Sequence, residues 1–331
     1  MAKSAKSNGR LTALSSGIKG LDEILGGGYP AGKIHLVEGS PGCGKTTLAL
    51  QFLMSGRNAG ESCLYITLSE SVHELKSVSE THGWNVDGID FFELPIEDQL
   101  SADSQNTFFH SSEVELGATN QKLIEQINKT NPSRVVIDSM TELKLMSQNA
   151  MRFRRQILAF KQFFHMRGTT VLLLDDKTSS ISDQEVQSIV HGIVKLEQLA
   201  PEYGAERRRL SITKMRGVSF RGGFHDFSIR TGGIVAYPRL IAAEHLAQED
   251  RTQISCGVDG IDRLIGGGVD RGSSNLIMGP AGCGKSTISL KYAAHAASLG
   301  ERVAVFTFDE GMRTLLARSS GLGMPLEEYI E

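Results

Sequence analysis

The chain carries one segment twice, and this duplication constrains its fold more than any other feature. The segment 15–50 matches the segment 255–290 without a gap, so each residue lies 240 positions before its counterpart. The same register continues further along the chain, where Ser69–Glu70 fall on Asp309–Glu310. A repeat at a fixed spacing indicates that the chain contains two copies of one folding unit.

The first copy has the pattern of an α/β domain. Short apolar runs such as "KIHLVEG", "RVVIDS" and "TTVLLLDD" alternate with longer segments of helical period such as "RFRRQILAFKQFFHMRG". This alternation predicts a mostly parallel sheet flanked by helices. The later runs "HGIVKLEQL", "ERRRLSITKMRG" and "HDFSI" predict antiparallel strands at one edge. We expect a first domain at 10–238, a linker at 239–253, and the N-terminal part of a second, tandemly duplicated domain at 254–331.

Composition and charge exclude several classes of protein. The formal net charge is -3 and the isoelectric point is near 6.3, which argues against a strongly basic nucleic-acid module. No apolar run approaches the roughly 18 residues of a membrane span, and the first ten residues lack the apolar stretch of a secretion signal. We therefore expect a cytoplasmic protein with no membrane association. The cysteines form no CxxC pair, which favours reduced, non-ligating thiols at Cys43, Cys63, Cys256 and Cys283.

A glycine-rich loop in the first copy is the strongest chemical signal. Residues 39–46, "GSPGCGKT", fit the pattern GxxxxGK[ST], follow an apolar run and open a predicted helix. In such a loop, backbone N–H groups and the helix N-terminus hold the phosphates of ATP, the lysine reaches the β and γ phosphates, and the following hydroxyl ligates Mg²⁺. A simple glycine turn would require neither a lysine nor a hydroxyl. We expect ATP to contact Ser40, Pro41, Gly42, Cys43, Gly44, Lys45, Thr46 and Thr47, with Thr46 on the metal.

The second copy repeats this loop. Residues 279–286, "GPAGCGKS", have the same pattern and the same position before a predicted helix. We expect nucleotide contacts from Gly282, Cys283, Gly284, Lys285, Ser286 and Thr287, with Ser286 as the hydroxyl ligand of the metal.

Two carboxylates in the first copy lie where such a site needs them. Asp138 ends the apolar run "RVVID", the place of the aspartate that orients Mg²⁺, although an aspartate there could also cap a helix. Glu70 follows the run "CLYITLS", where a carboxylate could polarise the attacking water. The alternative for Glu70 is a solvated glutamate that opens the next helix.

Several of these segments together resemble one family. The stretch "SGIKGLDEILGGG" before the loop, the carboxylate at Glu70, the aspartate of "VIDS" and the strand "RRRLSITKMRG" are similar to those of the KaiC family, RecA-like circadian clock ATPases with two tandem domains. The resemblance covers nearly the entire chain and implies a RecA-like P-loop NTPase fold. It also implies a homo-hexameric ring with ATP between subunits, slow hydrolysis in the first domain and Ser/Thr autophosphorylation in the second.

The resemblance assigns further residues. Lys214 and Arg216 match the family's basic residues that contact the γ phosphate of the neighbouring subunit, whereas residue types alone would favour a strand with an exposed basic face. We assign Arg207, Arg208 and Arg209 to that exposed face. Ser69 replaces the first of two adjacent glutamates, so we expect Glu70 to act alone and hydrolysis to be slower.

The second copy is expected to be incomplete. At the same offset, the counterparts of Asp138 and Lys214 would fall beyond Glu331. We therefore expect no ATP turnover by this half of the chain, exposed apolar surface on its unfinished sheet, and the family's phosphoacceptor residues in the missing part.

Three functions remain open from the sequence. The first is a KaiC-like ATPase, acting as a regulatory ring that protein partners read. The second is a RecA- or RadA-like recombination ATPase on single-stranded DNA, which requires basic and aromatic loops. The segments 101–118 and 175–186 are instead acidic and serine-rich, and offer only Phe108, Phe109 and Lys177. This composition disfavours nucleic acid as a partner. The third is a nucleotide-binding scaffold that barely hydrolyses ATP.

Overall fold

The computed structural model describes residues 12–94, 111–147, 149–176, 183–200, 203–241 and 252–330. It divides into two compact units, Met1–Leu240 and Ile241–Glu331, which are described separately below. Most of the predicted linker lies outside the described residues, as do Phe108, Phe109 and Lys177.

A nine-stranded sheet forms the centre of the first unit. The two strands that precede it in the chain, β1 and β2, pair with each other in a separate two-stranded sheet. The order of the nine strands is β11-β10-β9-β8-β3-β7-β6-β4-β5. Strands β3 to β8 pair in parallel, and β9, β10 and β11 extend one edge in antiparallel fashion. The predicted α/β fold with antiparallel edge strands is therefore confirmed. The strands are β1 (Ala13–Leu14), β2 (Tyr29–Pro30), β3 (Ile34–Gly39), β4 (Cys63–Thr67), β5 (Asp90–Glu93), β6 (Arg134–Asp138), β7 (Thr170–Asp176), β8 (Gly192–Leu199), β9 (Arg207–Met215), β10 (Phe224–Arg230) and β11 (Gly233–Tyr237).

Helices cover both faces of this sheet. One face packs on a core that includes Leu48 and Phe52 of the helix after the glycine-rich loop, and the other on a core that includes Ile157 and Phe164. Because both faces are covered, the central parallel strands read as continuous apolar runs rather than alternating ones. The helices are α1 (Lys19–Ile24), α2 (Lys45–Asn58), α3 (Val72–Thr81), α4 (Ser111–Thr130), α5 (Met140–Ser147), α6 (Ala150–Arg167) and α7 (Asp183–Ile189).

The register of the parallel strands brings the candidate site together along the carboxyl ends of the strands, which form one edge of the sheet. Thr67 of β4 pairs with Asp138 of β6, and Gly39 of β3 pairs with Asp176 of β7. Parallel strands end at the same edge, so the glycine-rich loop, the turn after β4 and both aspartates are neighbours there. This edge is the usual ligand site of open α/β sheets.

The second unit repeats the first elements of the first unit in the same order. It contains β12 (Gln253–Ile254) paired with β13 (Val269–Asp270), then α8 (Asp259–Leu264), α9 (Lys285–Ser298), α10 (Met312–Gly321) and a 3₁₀ turn at Leu326–Tyr329. The described segments 273–280 and 301–307, counterparts of β3 and β4, form no strand. Their apolar side chains are exposed, as the sequence predicts for this half of the chain, and include Leu276, Met278 and Phe306.

Candidate nucleotide-binding site

The glycine-rich loop connects β3 to α2 with the backbone shape that a phosphate cradle needs. Gly42 and Gly44 have φ angles of 78° and 103°, a region that favours glycine. A Cβ on Gly44 would lie 2.7 Å from Ile229 Cδ1, so that end of the isoleucine side chain would have to shift to admit one. Around Gly42 no atom lies within 4 Å of the Cβ position, which leaves that side of the loop open. The loop therefore presents free backbone at the N-terminus of a 14-residue helix.

Lys45 is held over this loop by three oxygen acceptors and, at 4.0 Å, by Cys43 Sγ. Its Nζ donates to Gly39 O at 2.9 Å and to Ser40 O at 3.0 Å, and forms an ion pair with Asp176 Oδ1 at 2.7 Å. Its side chain is only 8% exposed. The first helical residue thus places its ammonium group at the mouth of the loop, where a phosphate would lie.

Asp138 ends β6 as a buried carboxylate. Its Oδ2 accepts a hydrogen bond of 2.6 Å from the hydroxyl of Tyr65, a fully buried residue of β4. Burial raises the pKa of Asp138, and the Asp176 carboxylate raises it further, whereas the Tyr65 hydroxyl, Lys45 and Thr46 act in the opposite direction. The structure thus places Asp138 beside Thr46 and Lys45, and its role as a metal-orienting residue stays a prediction.

Glu70 lies on the turn that follows β4. Its backbone N–H donates to Thr67 Oγ1 at 3.1 Å, and the same Oγ1 donates to Glu70 O at 2.6 Å, which fixes the turn. Partial burial raises the pKa of Glu70, and the carboxylates of Asp138, Glu74 and Asp176 raise it further. Helix α3 is opened by a capping box of Ser71 and Glu74, so Glu70 does not supply the helix cap.

The donors at this edge suit a magnesium–nucleotide complex. The open glycine loop offers N–H groups to phosphate oxygens, and Thr46 and Asp138 offer the hydroxyl and carboxylate oxygens that Mg²⁺ prefers. The described residues contain no cluster of three or more His, Cys, Asp or Glu that would hold a metal by protein ligands alone. Nucleotide-bound Mg²⁺ usually takes much of its coordination from phosphate and water.

Lys214 and Arg216 lie at the opposite end of the strands, beside the amino end of β8. Lys214 Nζ donates to Gln187 O at 2.5 Å, and Arg216 Nη2 donates to Ser188 O at 3.0 Å, both at the C-terminal end of α7. Along the shared strand β8, Gly192 pairs with Met215 and Leu196 with Gly39. Four residues of strand, about 13 Å, therefore separate these cations from the glycine-rich loop of the same chain.

Two further arginines of β9 are paired with carboxylates on neighbouring strands, and a third lies near the residue that precedes the strand. Arg207 forms an ion pair with Asp226 at 2.7 Å, and Arg209 forms one with Glu197 at 2.7 Å. Arg208 lies 3.8 Å from Glu206. Arg207 and Arg209 therefore lie on the more exposed face of the strand, whereas Arg208 shares the face of the buried Leu210 and its Nε is buried.

The glycine-rich loop of the second unit has the same local geometry. Lys285 Nζ donates to Gly279 O at 2.9 Å and to Pro280 O at 2.8 Å, and Gly284 has a φ of 92°. Ser286 follows at the start of α9, and Glu310 is paired with Arg318 at 2.5 Å. Among residues 252–330 there is no strand-end aspartate that corresponds to Asp138 or Asp176.

Two site residues of the first unit were not singled out in the sequence. Asp176 ends the run "TTVLLLDD", and its position at the carboxyl end of an apolar strand is the signal that could have identified it. Tyr65 lies inside the apolar run "CLYIT", where nothing local distinguishes it from a core residue. Only the pairing of β4 with β6 brings its hydroxyl to Asp138.

This fold and this edge define a class of protein. A mostly parallel sheet that carries a glycine-rich phosphate loop after one strand and an aspartate at the end of a nearby strand is that of a RecA-like P-loop NTPase. The model of the KaiC ATPase family matches residues 14–241 and 254–331, and the chain belongs to this family.

Relatives of known name agree with this family. The circadian clock oscillator protein KaiC of Picosynechococcus is 30% identical over 94% of this chain and 61% of its own length. The circadian clock protein KaiC2 of Synechocystis is 28% identical over 96% of this chain and 56% of its own length. The circadian clock oscillator protein KaiC of Prochlorococcus marinus is 29% identical over 95% of this chain and 64% of its own length. The chain thus spans about 60% of the length of the curated relatives it matches. No helix among the described residues is both long and apolar enough to cross a membrane.

Proposed function

We propose that the first unit binds ATP with Mg²⁺ at the glycine-rich loop of residues 39–46 and hydrolyses it. The observation that carries this proposal is the meeting of Lys45, Thr46 and Asp138 at one edge of the sheet. A glycine turn of purely structural function would not need a buried lysine and a buried strand-end carboxylate beside it.

The roles of the residues follow from their chemistry. Backbone N–H groups of the loop and the N-terminus of α2 would hold the phosphates, and the Lys45 ammonium would stabilise charge on the transferred phosphoryl group. Thr46 and Asp138 would hold the magnesium ion, directly or through water. When bound, that ion would neutralise negative charge on the nucleotide phosphates.

Glu70 is the candidate for orienting the attacking water and accepting its proton. Its raised pKa lies in the direction that makes a carboxylate a better proton acceptor. Ser69 provides no second carboxylate on this turn, so we expect turnover to be slow.

We propose that Lys214 and Arg216 serve the nucleotide of a neighbouring chain. They cannot serve their own chain's loop, because the register of β8 and β9 places them about 13 Å away at the other edge. In a closed ring, one edge of each subunit meets the opposite edge of the next, which brings these cations to a neighbour's phosphates. A homo-hexamer would satisfy this arrangement and would make hydrolysis depend on assembly.

The names of the relatives point to a regulatory role. We propose that the nucleotide state of the ring is read by protein partners. We propose that autophosphorylation on Ser or Thr belongs to the second domain and not to the first unit. The second unit would bind nucleotide at its own glycine-rich loop, through Lys285 and Ser286.

The direct test is phosphate release by the purified chain with Mg²⁺ and ATP. Lys45→Ala should abolish release and Lys285→Ala, the matched change in the repeated loop, should leave it intact. Release that requires Lys285 but survives Lys45→Ala would contradict the proposal. Strong stimulation by single-stranded DNA would instead place the protein among the recombination ATPases.

A further inference from the structure

Asp176 lies at the mouth of the candidate phosphate site, although neither its sequence pattern nor the family match assigned it a role. It is the last residue of β7, directly opposite Gly39 in the pairing of β3 with β7. Its Oδ1 lies 2.7 Å from Lys45 Nζ, and its side chain is 32% exposed. Lys45 is therefore paired with a partly exposed carboxylate at the end of the strand next to the loop.

The contacts of Lys45 use its full donor capacity. An ammonium group has three N–H donors and no acceptor. Gly39 O, Ser40 O and the Asp176 carboxylate lie within hydrogen-bond distance of Nζ and together account for all three donors. A phosphate oxygen that reaches Lys45 must displace one of them. The Asp176 carboxylate is the acceptor on a separate strand and outside the loop that would wrap the phosphate.

The charges around Lys45 make this displacement unfavourable without a cation. Asp138, Glu70 and Asp176 are close enough to one another that Asp176 raises the pKa of both other carboxyls. A polyphosphate adds further negative charge to this group. A divalent cation between the phosphates and the carboxylates would offset the repulsion and free Lys45 from Asp176.

We propose that Asp176 is a positioning residue that competes with the nucleotide phosphates for Lys45, so that tight nucleotide binding requires a divalent cation. This inference rests on the proposed binding of ATP at the same loop. Asp176 holds the lysine in place in the nucleotide-free protein and disfavours nucleotide that arrives without its metal.

The neighbouring aspartate offers a matched control. Asp175 precedes Asp176 on β7, and successive residues of a strand point to opposite faces. Its Oδ1 accepts a hydrogen bond of 3.2 Å from Thr141 Oγ1. Asp175→Asn and Asp176→Asn remove the same charge one residue apart, but only the second removes the partner of Lys45.

The test measures the affinity of the full chain for a fluorescent ATP analogue by anisotropy, in EDTA and in excess Mg²⁺. Asp176→Asn should tighten binding in EDTA about tenfold, because a charged competitor for Lys45 is removed. The gain in affinity on adding Mg²⁺ should shrink accordingly. Asp175→Asn should change neither quantity by more than about twofold.

A double-mutant cycle separates competition for Lys45 from general repulsion of phosphate. In a Lys45→Met background, the effect of Asp176→Asn in EDTA should fall below about twofold. Persistence of the full effect would overturn the inference, as would equal effects of the two aspartate substitutions or weaker binding by Asp176→Asn in EDTA. Loss of the Mg²⁺ effect with unchanged binding in EDTA would make Asp176 a metal ligand, which also overturns it.

The same data distinguish failure of this inference from failure of the proposed function. If the wild-type chain binds the analogue no better than Lys45→Ala with Mg²⁺ present, the loop is not the nucleotide site. If binding depends on Lys45 but not on Asp176, only the competition is refuted.

Discussion

The hydroxyl of Tyr65 should matter for magnesium-dependent catalysis, and its removal is the most informative single change at the site. Tyr65 is fully buried, and its hydroxyl donates at 2.6 Å to the buried carboxylate of Asp138. Tyr65→Phe removes this hydroxyl while the ring keeps its stacked contact with Phe91, whose centroid lies 5.8 Å away. The change therefore withdraws one donor from Asp138 with little loss of packing.

The expected magnitude follows from the kind of bond removed. A hydrogen bond to a charged group contributes about 2 kcal/mol, and a buried carboxylate that loses its donor keeps most of its desolvation cost. At 1.36 kcal/mol per tenfold, this corresponds to about a thirtyfold fall in kcat/KM if Asp138 is less well placed in the transition state. Loss of a partner behind a metal ligand has effects of the same size, about 10- to 100-fold.

The assay is phosphate release as a function of Mg²⁺ concentration, with Tyr29→Phe as the control. Tyr29 is also fully buried, but its hydroxyl has no hydrogen-bond partner among the described residues. Tyr29→Phe should leave kcat/KM and its Mg²⁺ dependence unchanged, and should not lower the melting temperature. Activity of Tyr65→Phe within twofold of wild type at every Mg²⁺ concentration would refute this role of Tyr65.

Three further changes have definite expected outcomes. Burial raises the pKa of Asp138 in the folded state, so the folded protein is most stable below the unfolded pKa and loses stability as pH rises through the folded pKa. Asp138→Asn removes this carboxylate and should therefore raise the melting temperature at pH 7, by an increment that shrinks towards pH 4. A lower melting temperature of the variant at pH 7 would contradict this. The side chain of Arg134 is 2% exposed and donates to Glu61 and to two backbone carbonyls. Arg134→Met should therefore lower the free energy of unfolding by about 3 kcal/mol, as measured by denaturant unfolding. Arg207→Ala, at an exposed ion pair, should have no measurable effect on it. Glu70→Gln should lower kcat about 100-fold and leave ATP affinity within a fewfold of wild type; a variant with full turnover would exclude Glu70 as the group that orients water.

Much of the fold and part of the site could be predicted from local sequence. The glycine-rich loop is contiguous, and its residue types are dictated by phosphate chemistry, so Lys45 and Thr46 were identified without a structure. Asp138 was found because a carboxylate that ends an apolar run is placed at the sheet edge by the strand itself. These assignments need only short-range pattern, although their roles in catalysis remain predictions.

The remaining site residues depend on long-range pairing. Tyr65 and Asp138 are 73 residues apart in sequence and meet only because β4 pairs with β6 in one register. Asp176 reaches Lys45 only because β7 lies next to β3. Sequence patterns also do not show that the end of β9 pairs with the start of β8. This pairing keeps Lys214 and Arg216 away from the glycine-rich loop of their own chain.

The second unit illustrates the same limit for strands. Segments 273–280 and 301–307 have the apolar character of β3 and β4 but form no ladder among the described residues. Apolar and β-branched residues favour a strand only where neighbouring strands and a covered face are present. Sequence similarity to β3 and β4 therefore did not determine their local structure.

If the loop of one chain and the cations of another form a single catalytic site, as proposed, mixing two inactive variants should restore activity. Lys45→Ala lacks a working loop but keeps Lys214 and Arg216, whereas the double variant Lys214→Ala/Arg216→Ala keeps the loop. Each alone should be inactive in phosphate release. When the two are co-assembled in equal amounts, random order gives about a quarter of the interfaces an intact loop and intact cations, so about a quarter of wild-type activity should return. A mixture no more active than its components, or full activity of the double variant alone, would contradict the account.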